Sequence, residues 1–392
     1  MSDYPLGELQ NKTPMEYANK PYIDKLAENS ELFLVKTVPD GLKPGSDVAN
    51  LSVMGYDPLL YYTGRSPLEA ASIGVSLKEN ETAFRANLVT LSGDGEYEKL
   101  TMKDYSAGEI STEESTELVK FLSEKLTTDI TKYYPGVSYR HLMVWSDYCG
   151  GGKFTPPHDI LEEKIEGYLP SDEEILNIQK KSRELLKDHP VNVKRRQEGK
   201  NTADSLWIWG EGKSASLPAF SKAYGKKGAV VSAVDLVKGI GFLAGMDVIE
   251  VEGVTGNINT NFDGKAKAAL DALKNGADYV YVHLEAPDEC GHQGMAEEKA
   301  HSIELIDEKI VKYICEGLKD AGEEFKVMIL PDHPTPVSIR THAGDPVPCL
   351  IYDSRKKVNG KESFTEKNCE GRIFRKGDKL TEYFFEREGF AE

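Results

Sequence analysis

The sequence lacks several features that would assign the protein to a secreted or membrane-bound class. Its five cysteines are odd in number among 392 residues and are never spaced as Cys-x-x-Cys, which argues against a disulfide framework and a thiolate zinc site. No run approaches the roughly 18 apolar residues of a membrane span, and no basic-then-apolar signal opens the chain. These absences favour a protein of the reducing cytoplasm.

The sequence also lacks an excess of positive charge. It has 48 Lys and Arg residues against 65 Asp and Glu residues, a formal net charge of −17. Because nucleic acids and anionic membranes repel an acidic chain, we expect neither as a partner. The sequence predicts no particular oligomeric state.

Short apolar runs alternate with helical patterns along much of the chain. Five runs are bounded by Gly, Asp or Pro and are typical of buried strands, namely residues 229–237, 246–251, 278–284, 326–330 and 347–352. Helical periodicity is clearest in residues 264–276 and 301–318. The alternation predicts an α/β fold, a mostly parallel sheet with helices on both faces.

Residues 77–200 differ from the rest of the chain in their pattern of strand and helix signals, and this difference predicts a second domain. They contain a strand signal at 86–92 and two helix starts of the capping-box type, Ser111 with Glu114 and Ser171 with Glu174. A chain of 392 residues is long for one hydrophobic core. We therefore expect a smaller α+β domain at 77–200, inserted into a core domain of residues 1–76 and 201–392.

Polar residues of one chemical kind follow two of the predicted strands. The loops after these strands carry three histidines and two aspartates: Asp288, His292, Asp332, His333 and His342. In an open α/β sheet, ligands gather beyond the carboxyl ends of the strands. Neutral imidazoles and carboxylates can hold divalent ions, so the pattern favours a site for two such ions.

Each of these short patterns is weak evidence by itself. An Asp-x-x-x-His spacing is common by chance, and we give it roughly a one in ten chance of marking a metal ligand. The alternative, that these residues are only structural, is less favoured because the Asp-x-x-x-His and Asp-His patterns both occur at strand ends. A third histidine, His342, follows closely. His283 is interpreted as a core residue within its strand, whereas His189 and His301 lie on helical segments and are interpreted as structural.

Ser46 is the candidate nucleophile. Within PGSDVANLSVMGYDP it follows a Pro-Gly turn and heads a helical stretch that Gly55 can end. A helix N-terminus favours a phosphate group, and metal coordination can activate a serine hydroxyl. The alternative is that Ser46 only caps the helix, at odds of about nine in ten for an isolated serine before a helix.

Several segments together resemble one enzyme family. They are VKTVPDGLKPGSDVANLSVMGYDPLLYYTGRSPLEAA, FRANLVT, TPPHDI, EGKNTADSLWIWGEGK, AVVSAVDLVKGIGFLAGMDV, HLEAPDECGHQG and LPDHPTPVSIRTHAGDPVP. In this order, over nearly the whole chain, they are similar to the archaeal-type cofactor-independent phosphoglycerate mutases of the alkaline phosphatase superfamily. The resemblance implies that Ser46 is transiently phosphorylated. It also implies one ion on Asp288, His292 and His342, and a second on Asp332 and His333 beside Ser46.

The resemblance implies a glycolytic and gluconeogenic isomerase. It would interconvert 3-phosphoglycerate and 2-phosphoglycerate through the phosphoserine, without bisphosphoglycerate. Two divalent ions are expected, with manganese first and magnesium, cobalt or zinc as alternatives. The inserted domain would close over the core, keep water from the phosphoserine and bring cationic groups to the substrate.

The resemblance indicates the substrate-binding residues less directly than the metal ligands. By resemblance, TPPHDI places His158 and Asp159 against the phosphoglycerate. The cations considered for its carboxylate and phosphate are Arg85, Arg140, Arg195 and Lys222. Arginine suits both groups through bidentate contacts. Most arginines on an acidic protein are simply solvated, so we expect about half of these four cations to matter.

The beginning of the sequence departs from the family pattern. Members open with an apolar strand ending in Asp-Gly-Met, whose aspartate is a further ligand of the ion beside the serine. This chain begins MSDYPL, which matches the family segment immediately after that Asp-Gly. Neither Asp3 nor Asp40 takes the place of the missing aspartate. We expect that the natural protein is longer by one strand, encoded upstream of Met1.

Other functions remain open from sequence. Relatives of the mutases are proposed to act as homoserine kinases, and poor closure would favour phosphatase activity. A chain lacking one metal ligand could instead be a non-catalytic member. The segment GIGFLAG fits a dinucleotide-binding pattern through Gly239, Gly241 and Ala244. That signal is weak, because a helix packed closely on a sheet explains the glycines as well.

Overall fold

The structure is a computed structural model, and it describes residues 1–386. The chain divides into two compact units. The first unit comprises Met1–Tyr62 and the chain from Ser216 onward, and the second comprises Thr63–Ala215. The range 77–200 expected for an inserted domain lies inside the second unit. That unit begins earlier, at Thr63, and ends later, at Ala215. The later end follows because strand Ser205–Lys213 pairs with Glu81–Ser92.

The α-helices are numbered in chain order within residues 1–386. They are α1 Pro14–Tyr17, α2 Pro21–Ala27, α3 Ser46–Val53, α4 Pro58–Tyr61, α5 Ser66–Ser72, α6 Thr112–Leu126, α7 Glu173–Leu186, α8 Pro190–Gln197, α9 Phe220–Tyr224, α10 Asp235–Leu243, α11 Phe262–Lys274, α12 Ala286–Gln293, α13 Ala296–Leu305, α14 Lys312–Asp320 and α15 Leu380–Glu386. A π-helical segment, Ile306–Val311, joins α13 to α14.

The strands are numbered in the same way. They are β1 Ser30–Val35, β2 Glu81–Ser92, β3 Thr101–Asp104, β4 Thr131–Tyr134, β5 Arg140–Ser146, β6 Ser205–Lys213, β7 Gly228–Val231, β8 Asp247–Ile249, β9 Tyr279–Val282, β10 Lys326–Ile329, β11 Val347–Asp353 and β12 Ile373–Phe374.

The first unit is an α/β structure with two sheets. One sheet has the order β8-β7-β9, and both of its strand pairs are parallel. The other has the order β10-β11-β1-β12, in which β11 runs antiparallel to both neighbours and β12 runs parallel to β1. Among the described residues of this unit, three strand pairs are parallel and two are antiparallel, and the strands form two sheets where the sequence predicted one mostly parallel sheet.

The core of the first unit forms where helices cover these sheets. Leu26 of α2, Ile303 of α13 and Cys315 of α14 are buried in one cluster with Leu350 of β11. Each aliphatic side chain of this kind contributes about 1.5–3 kcal/mol when it leaves water. Packing of this kind supports the segments after β9 and β10, which carry the candidate ligands.

A cavity of about 270 Å³ is lined by residues of both β9 and β10. Among the described strands, β9 is an edge strand of the parallel sheet and β10 is an edge strand of the four-stranded sheet. Met1 and apolar residues of α11 and α14 also contribute to the lining. The cavity thus separates the free edges of two strands that both lead into the candidate site.

The second unit contains a five-stranded antiparallel sheet. Its order is β3-β2-β5-β4, and β6 pairs with β2. The apolar stripe of α6, including Leu118 and Leu122, packs with Ile175 of α7 and Leu206 of β6 in a separate core. This unit is α+β, the composition expected for the inserted domain.

Two sequence-based boundaries are wrong in detail. The run 229–237 is a strand only up to Val231, because the Ser232 hydroxyl accepts a hydrogen bond from the amide of Val234 and turns the chain into α10. The cap of α7 is Asp172 and not Ser171, since the Asp172 carboxylate accepts from two amides, those of Glu174 and Ile175. The predicted cap Ser111 of α6 is confirmed.

No helix among residues 1–386 is both long and apolar enough to cross a membrane.

Candidate active site

Ser46 is the first residue of α3, and its hydroxyl points to another element. The helix is capped by Gly45, which has extended dihedrals and contributes no side-chain cap. The Oγ atom of Ser46 lies 3.0 Å from the Nε2 atom of His333. The interpretation of Ser46 as a simple helix cap is therefore wrong, because its hydroxyl does not bond to the amides of its own helix.

Asp332 and His333 follow β10 directly, as expected from sequence. One carboxylate oxygen of Asp332 accepts from the amide of His333, and the other accepts from the side-chain amide of Asn50 at 2.9 Å. Burial has the largest influence and raises the pKa of Asp332, but electrostatic interactions with His333 and His283 and the hydrogen bond from the His333 amide together outweigh it. The net pKa is below its ordinary value, so Asp332 is a carboxylate at neutral pH.

Asp288 and His292 lie one turn apart on α12, and not in a loop as the sequence suggested. The Nε2 atom of His292 is 3.2 Å from Asp288 Oδ2 and 3.0 Å from the Nε2 atom of His342. The Nδ1 atom of His292 is 3.0 Å from the carbonyl oxygen of Arg340. A carbonyl can only accept, so Nδ1 carries a proton and Nε2 is the ring nitrogen that faces Asp288 and His342. The hydrogen bond with Asp288 raises the pKa of His292 to about 9.

The donor atoms have the spacing of ligands around a metal ion. Ligand atoms of Asp288, His333 and His342 all lie within 4.8 Å of one another. Two donors about 2.1 Å from one ion are about 3.0–3.4 Å apart in octahedral or tetrahedral geometry. The Ser46–His333 and His292–His342 separations of 3.0 Å match this spacing. The residues therefore fit divalent metal, with imidazole and carboxylate donors in one continuous group.

Thr335 and Lys299 support this group from behind. The Thr335 hydroxyl donates to Asp288 and lies 3.3 Å from Nδ1 of His333. The ammonium of Lys299 is fully buried and donates to the Thr335 carbonyl and to the carboxylate of Asp3. Asp3 also accepts from the amide of Val337. Asp3 therefore fixes the loop that carries Thr335.

The second unit contains a cluster of positive charge on an aromatic support. The guanidinium of Arg85 lies 4.3 Å above the Trp209 ring and donates to Glu69 at 2.9 Å. The other oxygen of Glu69 accepts from Arg65 at 3.1 Å. The His158 ring packs against Trp209 with centroids 5.4 Å apart. A planar cation held by a carboxylate and a ring is suited to bidentate binding of an anion.

These cations lie close enough to affect the pKa values of one another. Burial lowers the pKa of Arg85, and the charges of Arg65 and Arg140 lower it further, against the opposing effect of Glu69. Burial also lowers the pKa of His158. The charge of Asp159 raises this pKa, whereas the charges of Arg85 and Arg65 lower it further. An anionic ligand would relieve this repulsion between like charges.

Arg195 and Lys222 are not part of this cluster. The Arg195 guanidinium is buried and bonded to Glu114 at 2.5 Å and to the carbonyls of Asn201 and Ala107. These contacts occupy the guanidinium and count against a substrate role. Lys222 lies exposed on α9 in the first unit.

Several residues of the site escaped the sequence analysis. Asn50, Thr335 and Tyr281 are neutral. Asn50 bonds to Asp332 and Thr335 bonds to Asp288, both far away in the sequence, and Tyr281 bonds to Asn50. Arg65 could have been identified from the sequence, because the acidic residue Glu69 follows it by one helical turn and can pair with it. No pattern was available for the others.

The glycines of GIGFLAG have a structural role. Gly239 and Gly241 lie inside α10, and not in a turn between a strand and a helix. A Cβ atom at Gly241 would stand 2.7 Å from a methyl carbon of Val230. Close packing of α10 on β7 thus explains the motif, and the dinucleotide-binding interpretation is wrong.

Comparison with known proteins identifies the family of the chain. The sequence model of the 2,3-bisphosphoglycerate-independent phosphoglycerate mutases matches residues 27–192. A 2,3-bisphosphoglycerate-independent phosphoglycerate mutase of Methanosarcina mazei is 49% identical, with 94% of this chain and 92% of the relative covered. A probable enzyme of the same name from Geobacter sulfurreducens is 46% identical over 99% and 98% of the two chains.

Two solved structures are similar in fold over nearly the whole chain. A Pyrococcus horikoshii protein is 32% identical, with a TM-score of 0.81 over 100% of this chain and 97% of that chain. A cofactor-independent phosphoglycerate mutase from Thermoplasma acidophilum is 27% identical, with a TM-score of 0.65 over 99% and 97%.

Proposed function

Since the chain belongs to the 2,3-bisphosphoglycerate-independent phosphoglycerate mutase family, we propose that it interconverts 3-phosphoglycerate and 2-phosphoglycerate through a phosphoserine at Ser46. The observation that carries the proposal is the position of the Ser46 hydroxyl, 3.0 Å from His333 within a group of metal-binding side chains. A serine so placed can be activated, whereas an isolated serine hydroxyl is a weak nucleophile near neutral pH.

The transfer has two balanced steps. In the first, Ser46 Oγ attacks the phosphorus, the Oγ–P bond forms and the bond from phosphorus to the substrate oxygen breaks. The Ser46 proton leaves, and the departing oxygen takes up a proton to give glycerate. In the second, the other hydroxyl of glycerate attacks, the Oγ–P bond breaks and Ser46 regains a proton. The sequence of steps consumes no nucleotide.

Two divalent ions, with manganese preferred, belong to the proposal. One set of ligands would be Asp288, His292 and His342, and the other Asp332 and His333 with Ser46. When bound, a divalent ion would lower the pKa of the serine hydroxyl and neutralise negative charge on the oxygens of the transferring phosphoryl group. The orientation of His292, which turns Nε2 towards Asp288 and His342, and the carboxylate state of Asp332 support this assignment.

The charged cluster of the second unit is proposed to bind the substrate. Arg85, Arg65 and His158 can hold the carboxylate or phosphate of a phosphoglycerate, with Arg140 and Asp159 nearby. The support is the ion pair of Arg85 with Glu69 and the stacking on Trp209, which orient the guanidinium before the ligand arrives. The role of the second unit as a substrate-binding domain rests on this cluster.

Phosphorus NMR tests the activity directly. The protein is incubated with 3-phosphoglycerate and Mn(II), without bisphosphoglycerate or nucleotide, and 2-phosphoglycerate should appear. Ser46→Ala should abolish the new signal, whereas Ser52→Ala, which changes a buried serine of the same helix, should retain it. Formation of 2-phosphoglycerate by Ser46→Ala would overturn the phosphoserine mechanism.

This experiment and a parallel incubation with ATP and homoserine separate the alternative reactions. Release of inorganic phosphate without 2-phosphoglycerate would indicate a phosphatase. Transfer from ATP to homoserine, with no change in 3-phosphoglycerate, would indicate a homoserine kinase. No signal in either assay, together with absence of Mn(II) binding, would support a non-catalytic member of the family.

A further inference from the structure

Asn50 joins three parts of the active site. It lies on α3 one turn after Ser46 and is fully buried. Its Nδ2 atom donates to the carbonyl of Ser46 at 2.8 Å and to Oδ2 of Asp332 at 2.9 Å. Its Oδ1 atom accepts from the hydroxyl of Tyr281, on β9, at 2.7 Å. One amide therefore connects the nucleophile's helix, the carboxylate after β10 and the edge strand β9.

The orientation of this amide follows from the chemistry of its neighbours. A carbonyl and a carboxylate can only accept hydrogen bonds, so the NH₂ group of Asn50 must face Ser46 and Asp332. The Oδ1 atom then faces Tyr281, whose hydroxyl must donate. All the hydrogen-bonding groups are thereby matched, and a rotated amide would place like groups against each other.

The bond from Asn50 leaves Asp332 constrained at both oxygens. Oδ1 accepts from the amide of His333, and Oδ2 accepts from Asn50 while lying 3.4 Å from the Nε2 atom of His333. A carboxylate fixed in this way keeps its remaining lone pairs in one direction. Partners that orient a ligand in this manner affect metal affinity although they do not touch the ion.

We propose that Asn50 is a positioning residue that sets the distance between the Ser46 helix and the Asp332 carboxylate, and that Tyr281 fixes the orientation of its amide. The proposal rests on the proposed metal-dependent phosphoryl transfer. It adds a requirement for a neutral amide at position 50, because a carboxylate there would face both a carbonyl and Asp332. A substitution of nearly equal size should therefore disturb the site through charge alone.

Direct Mn(II) titration of Asn50→Asp tests this requirement without substrate. By the usual effect of partners that orient a ligand, we expect Mn(II) affinity about 10- to 100-fold weaker than in the unchanged protein. In the phosphoglycerate assay, kcat should fall while KM changes little, since the cationic cluster of the second unit is intact. Restored turnover at high Mn(II) would agree with a role in positioning.

Asn192→Asp is the matched control. Asn192 is also fully buried, and its amide donates to the carbonyls of Leu186 and Ala203 while accepting from the amide of Ala203. Like Asn50→Asp, the change is expected to lower the unfolding midpoint, but it should leave Mn(II) affinity unchanged. Equal loss of Mn(II) affinity in both variants would reduce the effect at Asn50 to general destabilisation and overturn the proposal.

Tyr281→Phe provides a second variant if Asn50→Asp fails to fold. It removes one hydroxyl and should weaken Mn(II) binding about two- to tenfold, the equivalent of one neutral hydrogen bond. Its control is Tyr56→Phe, which removes a buried hydroxyl that donates to the Pro218 carbonyl. Unchanged affinity in Tyr281→Phe and in Asn50→Asp would contradict the proposal. Weakened affinity in a protein without mutase activity would leave the positioning role and reject only the proposed reaction.

Discussion

The Oγ atom of Ser46 and the Nε2 atom of His333 lie 3.0 Å apart, although 287 positions separate the two residues in the sequence. The contact joins the first residue of α3 to the residue directly after Asp332, beyond β10. It brings a hydroxyl nucleophile into a group of metal-binding side chains, which is the arrangement that transfer of a phosphoryl group to serine requires.

Metal binding should stabilise the folded protein. Mn(II) at about 1,000 times its dissociation constant should add about 4 kcal/mol to the free energy of unfolding, if it binds only the folded state. Asp288→Asn removes a central carboxylate, so its unfolding temperature should respond only at higher Mn(II). Differential scanning calorimetry with and without Mn(II) measures this. Asp271→Asn, an exposed acid of α11, serves as control, and an equal response of both variants would contradict the assignment.

The buried ion pair of Lys299 and Asp3 should be essential for stability. Both side chains have 0% exposure and lie 2.7 Å apart, so Lys299→Met leaves an unpaired buried carboxylate. Removing one partner of such a pair costs about 3–5 kcal/mol, measurable by urea unfolding. The double change Lys299→Met with Asp3→Leu should recover part of this loss.

The matched control for that pair is on the surface. Lys267 and Asp271 form an exposed pair one turn apart on α11, and Lys267→Met should leave the unfolding midpoint unchanged. A similar loss of stability in Lys267→Met and Lys299→Met would mean that burial of the Lys299 pair is not the cause.

Arg85 should determine substrate affinity more than turnover. In Arg85→Lys the single ammonium loses the bidentate geometry and the stacking on Trp209. We expect KM for 3-phosphoglycerate to rise about tenfold or more, with a smaller fall in kcat, in steady-state assays.

Arg195→Gln should behave in the opposite way. Its guanidinium is bonded to Glu114 and two carbonyls within the second unit. The change should lower the unfolding midpoint and leave KM unchanged. An increase in KM for Arg195→Gln with none for Arg85→Lys would reverse the assignment of the two arginines.

Acid should destabilise the second unit through His141. Burial lowers the pKa of His141 from 6.5 to about 3 in the folded protein. The unfolded chain therefore binds a proton below about pH 6.5 that the folded chain does not, and stability is lost as pH falls from 6.5 towards 3, by about 1.4 kcal/mol per pH unit.

His141→Asn tests this dependence, since its side-chain oxygen can still accept from the amide of Gly136. The stability advantage of the unchanged protein over the variant should shrink by about 2 kcal/mol between pH 7.5 and pH 5.0. Urea unfolding at the two pH values gives this difference, with the exposed His301→Asn as control. A constant difference would show that His141 is not the titrating group.

Local patterns predicted much of the fold. The apolar run at 326–330 and the polar residues after it correctly placed Asp332 and His333 at the end of a strand, β10. Such signals are local, because burial of a strand and the chemistry of the following loop are both written in adjacent residues. The helix at 264–276 was identified for the same reason, and it is α11.

Long-range pairing could not be predicted in this way. The antiparallel direction of β11 between β10 and β1 depends on the path of the chain and not on its hydrophobic pattern. The contact of Asn50 with Asp332 spans 282 positions, and that with Tyr281 spans 231. Neutral side chains of this kind have no charge or spacing signal, so only the folded arrangement identifies them.

The most direct test of the central claim is detection of a phosphate on Ser46. The protein is mixed with 3-phosphoglycerate and Mn(II), quenched in acid after milliseconds to seconds, and digested for mass spectrometry of the peptide that contains Ser46. We predict that this peptide carries a phosphate during turnover and that Ser46→Ala neither accepts phosphate nor forms 2-phosphoglycerate. Conversion of 3-phosphoglycerate by Ser46→Ala at the rate of the unchanged protein would contradict the account.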